Sequence, residues 1–113
     1  MAQDTLGRLA ATIRQRRSDP AATNSYTRQL LDGGPTRSAK KLGEEAIETV
    51  IAAIHQDDAA LRAEAADLLY HLLVVLEVRG VALEDVLVVL EGRMGTSGLD
   101  EKAARPAGGN DRA

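Results

Sequence analysis

Cysteine, tryptophan and phenylalanine are absent from this chain, and two tyrosines are its entire aromatic content. Without cysteine there is no disulfide framework, no thiol nucleophile and no Cys-ligated zinc, in agreement with a reducing compartment. Without bulky rings, a core has to be built from interlocking aliphatic side chains, which suits helices better than a β-sandwich. A long apolar run is also missing: the richest stretch, around Leu72 to Leu76, is far too short to span a bilayer. The first twenty residues carry four arginines and no apolar run, so no secretory signal is expected. Nor is there an excess of positive charge. With 14 Lys and Arg against 17 Asp and Glu, the net charge is −3, which argues against general nucleic-acid affinity while leaving room for a local basic patch that holds a phosphorylated small molecule. The expectation is a cytoplasmic protein without membrane or nucleic-acid partners. Its 113 residues suffice for one domain with one modest core.

What is present is helical periodicity. Residues 4 to 17 place Leu6, Leu9, Ala10 and Ile13 on one stripe with Arg8, Arg14, Arg16 and Arg17 outside it, and Ser18-Asp19-Pro20 stops the pattern. A short helix is expected near 25 to 31, followed by Gly33-Gly34-Pro35, a strong punctuation mark with a proline suited to the start of the next helix. That next helix is expected from about Thr36 to His55, with Leu42, Ala46, Val50, Ala53 and Ile54 on a broad apolar face and Lys41, Glu45, Glu48 and Ala52 on a separate stripe. Another should run from about Asp58 to Arg79, stopped by Gly80, with Leu61, Ala65, Leu68, Leu69, Leu72 and Leu76 on its apolar face and Glu64, Asp67 and His71 along one flank. Past Asp67 it is apolar on nearly every side, which calls for cover from a second copy. A last helix is expected from about Leu83 to Arg93. The predicted fold class is all-α: a hairpin core of about four helices, completed as a bundle by dimerisation. Residues 1–94 form the expected domain, and 95–113, rich in Gly, Ala and scattered charge, the expected flexible tail.

Two acidic groups stand out, Glu44-Glu45-x-x-Glu48 and Glu64-x-x-Asp67. On helices, each places carboxylates on adjacent turns of one face. A single turn near Gln56, Asp57 and Asp58 separates them, with Glu48 and Glu45 about 9 and 12 residues before it and Glu64 and Asp67 about 7 and 10 after it. At about 1.5 Å rise per residue, an antiparallel hairpin brings Glu45, Glu48, Glu64 and Asp67 to similar heights. A cage of like charges requires a cation, and Mg²⁺, a hard ion that prefers oxygen ligands and shares its shell with phosphates, suits it. The ion would neutralise repulsion, bridge phosphoryl oxygens and activate water, so no protein nucleophile is needed.

The competing reading is a solvated helix face whose acids pair with Lys40, Lys41 and Arg62. It accounts for any single glutamate, but less readily for two acidic pairs set at similar distances from one turn. Lys41 is open to an i,i+4 pair with Glu45 or to phosphate contact. Arg37 and Lys40 lie in the first turns of their helix, where free N–H groups already favour anions. His71 reads as a satisfied core histidine and His55 as a helix-end residue. Tyr70 reads as packing; Tyr26 could stack on a base, but the sequence pairs it with no second aromatic.

The run Lys41-x-Gly43-Glu44-Glu45-Ala46-x-Glu48, followed by Glu64-x-x-Asp67-Leu68-Leu69-Tyr70-His71-Leu72-Leu73, closely resembles the phosphoribosyl-ATP pyrophosphatases of histidine biosynthesis, members of the all-α nucleoside triphosphate pyrophosphohydrolases. The resemblance extends upstream to Ser25-Tyr26-Thr27, Leu30-Leu31 and Gly34-Pro35, and downstream through Arg79-Gly80-Val81 and Leu83-Glu84-Asp85-Val86. It implies Mg²⁺-dependent hydrolysis of phosphoribosyl-ATP to phosphoribosyl-AMP and pyrophosphate in a helical homodimer. Residue by residue, it implies metal binding for Glu45, Glu48, Glu64 and Asp67, and an outer role for Glu44 in orienting or deprotonating the attacking water. Lys41 matches the basic residue before the motif and is assigned to phosphate contact, with Lys40 and Arg37 beside it. Ser38 departs from the pattern, standing where relatives usually carry an apolar residue, and so does Thr36, where many carry an acid. Two other readings stay open: a house-cleaning pyrophosphohydrolase acting on aberrant nucleotides, and a non-enzymatic helical dimerisation module.

Overall fold

Asp19 precedes Pro20, and the proline ring pushes the residue before it out of the helical region. Asp19 accordingly sits at φ −82° and ψ 113° and ends the first helix, α1 (Thr5–Ser18). A computed structural model of the chain describes residues 4–22 and 24–95, and every regular element among them is helical. After a 3₁₀ turn at Pro20–Ala22 comes α2 (Tyr26–Asp32), where Ser25 accepts the Arg28 N–H at 2.9 Å as an N-cap. The main hairpin follows as α3 (Gly34–His55) and α4 (Asp58–Arg79), and then α5 (Leu83–Met94). The third helix starts two residues before the expected Thr36. Gly34 takes the left-handed φ of 81° that turns the chain into it, and Pro35 falls inside its first turn.

The hairpin turn is where the sequence placed it. Asp57 Oδ1 accepts the Ala60 N–H at 2.9 Å and caps α4. At the other end, Gly80 adopts φ 71° and ψ 26°, and Val81 N–H reaches back to the Leu76 carbonyl at 2.9 Å, closing the helix as a left-handed glycine cap does.

The chain divides into two units, the first running to Leu83 and the second from Glu84. In the first unit the core joins Ile13 of α1, Leu30 and Leu31 of α2, and Leu73 and Val74 of α4, together with Leu83. Arg17 fastens α1 to α4, donating from Nη1 to the Glu77 carbonyl at 2.8 Å and to Glu77 Oε2 at 2.9 Å. The second unit contains the remainder of α5, whose first turn carries Glu84 and Asp85, the charges a helix N-terminus favours. The expected flexible tail, from residue 96 onward, lies outside the described residues.

The helices are where the periodicity predicts, but two of their inward faces are not. On α3 the buried side chains are Ser38, Glu45 and Ala52, seven residues apart, while Val50 and Ile54 of the expected apolar face remain 56% and 67% exposed. The stripe that carries the acids is the one turned inward. On α4 the buried residues are His71, Leu73 and Val74, whereas Leu69 and Leu72 stay exposed. The cause is tertiary. α4 is apolar nearly all round, so its core face is set by where α1 and α2 pack rather than by its own pattern.

Candidate metal site

An antiparallel hairpin brings position 49 of α3 opposite position 64 of α4, and the Thr49 hydroxyl marks that register. It lies 2.8 Å from the Glu45 carbonyl, one turn back on its own helix, and 3.2 Å from the Glu64 carbonyl across the hairpin. Around this point Glu45, Glu48 and Glu64 each direct a carboxylate oxygen to a common region, where the three oxygens lie within 4.8 Å of one another. Glu45 is buried, Glu64 half-buried and Glu48 exposed, so the cluster opens to solvent on one side. Asp67, one turn further along α4, is exposed and stands outside the group of three, though its charge reaches Glu64.

Burial first, and then the negative charges of Glu48 and Asp67, raise the pKa of Glu64 above the usual carboxylate range. Its Oε1 is shielded from solvent and has no hydrogen-bond partner. A buried acceptor without a donor, surrounded by other acceptors, is costly unless a cation fills the space. The donor set is all carboxylate oxygen, the chemistry that hard divalent ions prefer. These residues therefore fit a metal ion.

The basic candidates lie toward the start of α3. Lys41 Nζ bonds Glu44 Oε1 at 3.3 Å, an i,i+3 pair, in place of the i,i+4 pair with Glu45 that spacing offered. That hydrogen bond is the main reason the Lys41 pKa is raised, and the nearby Tyr26 phenol acts in the same direction. Glu44 is exposed beside the buried Glu45 and is not one of the three acids whose oxygens converge. Arg37 and Lys40 are exposed and form no ion pair among the described residues, and neither does Arg62. Lys41–Glu44 is thus the only one of the expected solvating pairs that forms among the described residues.

Behind Asp67 lies an aromatic group that the sequence did not assemble. His71 is buried; its Nδ1 lies 2.7 Å from the Asp67 carbonyl, and its Nε2 lies 3.3 Å from the Tyr26 hydroxyl. The reading of His71 as a satisfied core histidine holds. Thr49 was overlooked, although its place four residues after Glu45 is where a hydroxyl back-bonds to a helix carbonyl.

Fold and site together define an all-α protein with a metal-capable carboxylate cluster between the helices of a hairpin. Comparison with known proteins narrows this. The family model for phosphoribosyl-ATP pyrophosphohydrolase matches residues 6–94. The phosphoribosyl-ATP pyrophosphatase of Cereibacter sphaeroides is 54% identical to this chain over 88% of it and 96% of its own length. Its counterpart in Caulobacter vibrioides is 56% identical over 90% and 94%, and phosphoribosyl-ATP pyrophosphatase 1 of Bradyrhizobium diazoefficiens is 53% identical over 93% and 98%. This chain belongs to the phosphoribosyl-ATP pyrophosphohydrolase family.

Proposed function

We propose that this chain hydrolyses phosphoribosyl-ATP to phosphoribosyl-AMP and pyrophosphate, the second step of histidine biosynthesis, with Mg²⁺ held by Glu45, Glu48 and Glu64 and by Asp67 from the next turn of α4. The observation that carries this reading is the buried, unpartnered Oε1 of Glu64, set among carboxylates in a chain of this family.

When bound, Mg²⁺ supplies charge neutralisation, a template for phosphate oxygens and a lowered pKa for water. The chain's own residues do the rest. Glu45, Glu48 and Glu64 stand on two packed helices whose backbones the Thr49 hydroxyl contacts, so the site needs little rearrangement at the moment of reaction. Glu44 accepts the proton of the attacking water or orients it, and its pairing with Lys41 holds it near the phosphates. Lys41, with its neighbour Lys40, meets the triphosphate charge, and Arg37, one turn nearer the start of α3, adds a charge where free N–H groups also favour anions. Catalysis is positioning and charge neutralisation, as in other phosphoryl transfers.

Residues 1–94 form the catalytic domain in this reading, in the cytoplasm where the pathway's nucleotides are found. No helix among the described residues is long and apolar enough to cross a membrane. The working form is a homodimer: Ile47, Val50, Ile51 and Ile54 expose a continuous apolar strip on α3, at 63%, 56%, 44% and 67%, that a second copy would cover. The test is catalytic efficiency on phosphoribosyl-ATP against a panel of ordinary and damaged nucleoside triphosphates, with and without Mg²⁺. Strong preference for phosphoribosyl-ATP upholds the reading. Higher efficiency on damaged nucleotides would make the protein a house-cleaning enzyme, and no turnover with no saturable Mg²⁺ binding would make it a structural module.

A further inference from the structure

The chain's two tyrosines, 44 positions apart in sequence, stack in the fold with ring centroids 6.4 Å apart and planes 21° from parallel. His71 meets both edge-on, 6.2 Å from Tyr26 and 4.9 Å from Tyr70. The three rings are locked by their polar ends. Tyr70 shares a hydrogen bond with the Thr27 hydroxyl at 2.5 Å. The Asp67 carbonyl can only accept, so His71 Nδ1 carries the hydrogen of their bond, and Nε2 is left to meet the Tyr26 hydroxyl. Tyr70 is half-buried and His71 buried, but Tyr26 is 50% exposed.

An aromatic ring oriented by a buried histidine and yet half open to solvent has had its rotational entropy removed without being used in the core. Its position is specific. Through His71 it is tied to the main chain of Asp67, one turn from Glu64, and its phenol lies near enough to act on Lys41, the residue the proposed reaction assigns to phosphate contact. In a nucleotide whose phosphates are gathered by the acids and Lys41, the base lies one sugar away from the α-phosphate, and a ring tied both to the Asp67 turn and to the neighbourhood of Lys41 is within that reach.

We infer that Tyr26, backed by Tyr70 and His71, is the stacking platform for the purine base of the substrate. This rests on the proposed reaction and adds a base subsite to it. Stacking on a fixed aromatic is tolerant of base identity and contributes to binding more than to the chemical step.

Steady-state kinetics on phosphoribosyl-ATP with Mg²⁺ provide one arm of the test. Tyr26→Ala is expected to raise KM by about tenfold or more while kcat changes far less, and Tyr26→Phe, which keeps the ring, to restore most of the loss. The second arm does not depend on turnover. With two tyrosines, ¹³C-tyrosine labelling gives a spectrum assignable by Tyr26→Phe, and α,β-methylene-ATP with Mg²⁺ should move the Tyr26 ring resonances upfield and leave those of Tyr70 less affected. Unchanged KM in Tyr26→Ala, or ring resonances that do not move at saturating analogue, overturns the platform. So does a loss confined to kcat and equal in both variants, which would make the hydroxyl a device for positioning α4. If the wild type leaves phosphoribosyl-ATP intact, the proposed reaction fails, and the resonance shifts still decide the platform.

Discussion

The hydroxyl of Thr49 lies 3.2 Å from the main-chain carbonyl of Glu64, a hydrogen-bond contact from one arm of the hairpin to the other. The same oxygen is 2.8 Å from the Glu45 carbonyl, so a single side chain touches the backbone of two of the three converging acids. Removing a group that holds a ligand-bearing segment in place costs roughly 10- to 100-fold in metal affinity or activity. Thr49→Val, nearly isosteric but without the hydroxyl, should weaken Mg²⁺ binding and lower kcat/KM by about that factor, and Thr49→Ser should preserve both. Wild-type Mg²⁺ affinity in Thr49→Val, measured by calorimetry, would show that helix packing alone sets the register.

The hairpin and its acids were legible in the sequence because Asp57 and Gly80 are capping residues with local physical causes, and because the distances of Glu45, Glu48 and Glu64 from the turn are fixed by helical rise. Which face of each helix turns inward was not legible. α4 is apolar on several sides, and only the docking of α1 and α2 selects His71, Leu73 and Val74 over Leu69 and Leu72. The pairing of Tyr26 with Tyr70 was hidden for the same reason, since it depends on α2 folding back against α4 and no periodicity encodes that.

Glu64 gives the metal-free protein a pH dependence of definite sign. Because its folded pKa is raised, chiefly by burial and then by Glu48, the folded chain keeps a proton at pH values where the unfolded chain has lost it. The contribution of Glu64 to stability is therefore fully present below the ordinary carboxylate pKa and is lost as pH rises through the higher folded value. Mg²⁺ binds the ionised form, so the rise in Tm that it produces should grow over that same window. Thermal melts by circular dichroism, with EDTA or with Mg²⁺, test this. In Glu64→Gln both trends should flatten, and a metal-free Tm difference between wild type and Glu64→Gln that moves in the wild type's favour as pH rises through this window contradicts the raised pKa.

Glu48 belongs to the converging group and Asp67 does not, which makes their comparison informative. If Asp67 completes the ligand set, Glu48→Gln and Asp67→Asn should each lower kcat by about 100-fold or more, the scale seen when a charge-stabilising group is removed, with the helical circular-dichroism signal retained. Pyrophosphate release measured in a coupled assay decides it. Near-normal release by Asp67→Asn, with the Glu48 variant inactive, would confine the metal site to the three glutamates.

Ser38 tests the fold apart from the chemistry. It is 2% exposed, and its Oγ donates to the Leu30 carbonyl at 3.0 Å, tying the first turn of α3 to α2. That carbonyl also accepts the Gly33 N–H at 3.2 Å, so deleting the hydroxyl does not leave it without a partner. Ser38→Ala should then cost about 0.5–1.5 kcal/mol, and at this chain length each kcal/mol lowers Tm by about 4 °C. Its hydroxyl is engaged with backbone and not with the acids, so kcat and KM should remain at wild-type values. A fall in kcat/KM without a fall in Tm would mean that the α2–α3 link controls the geometry of the site rather than the stability of the chain.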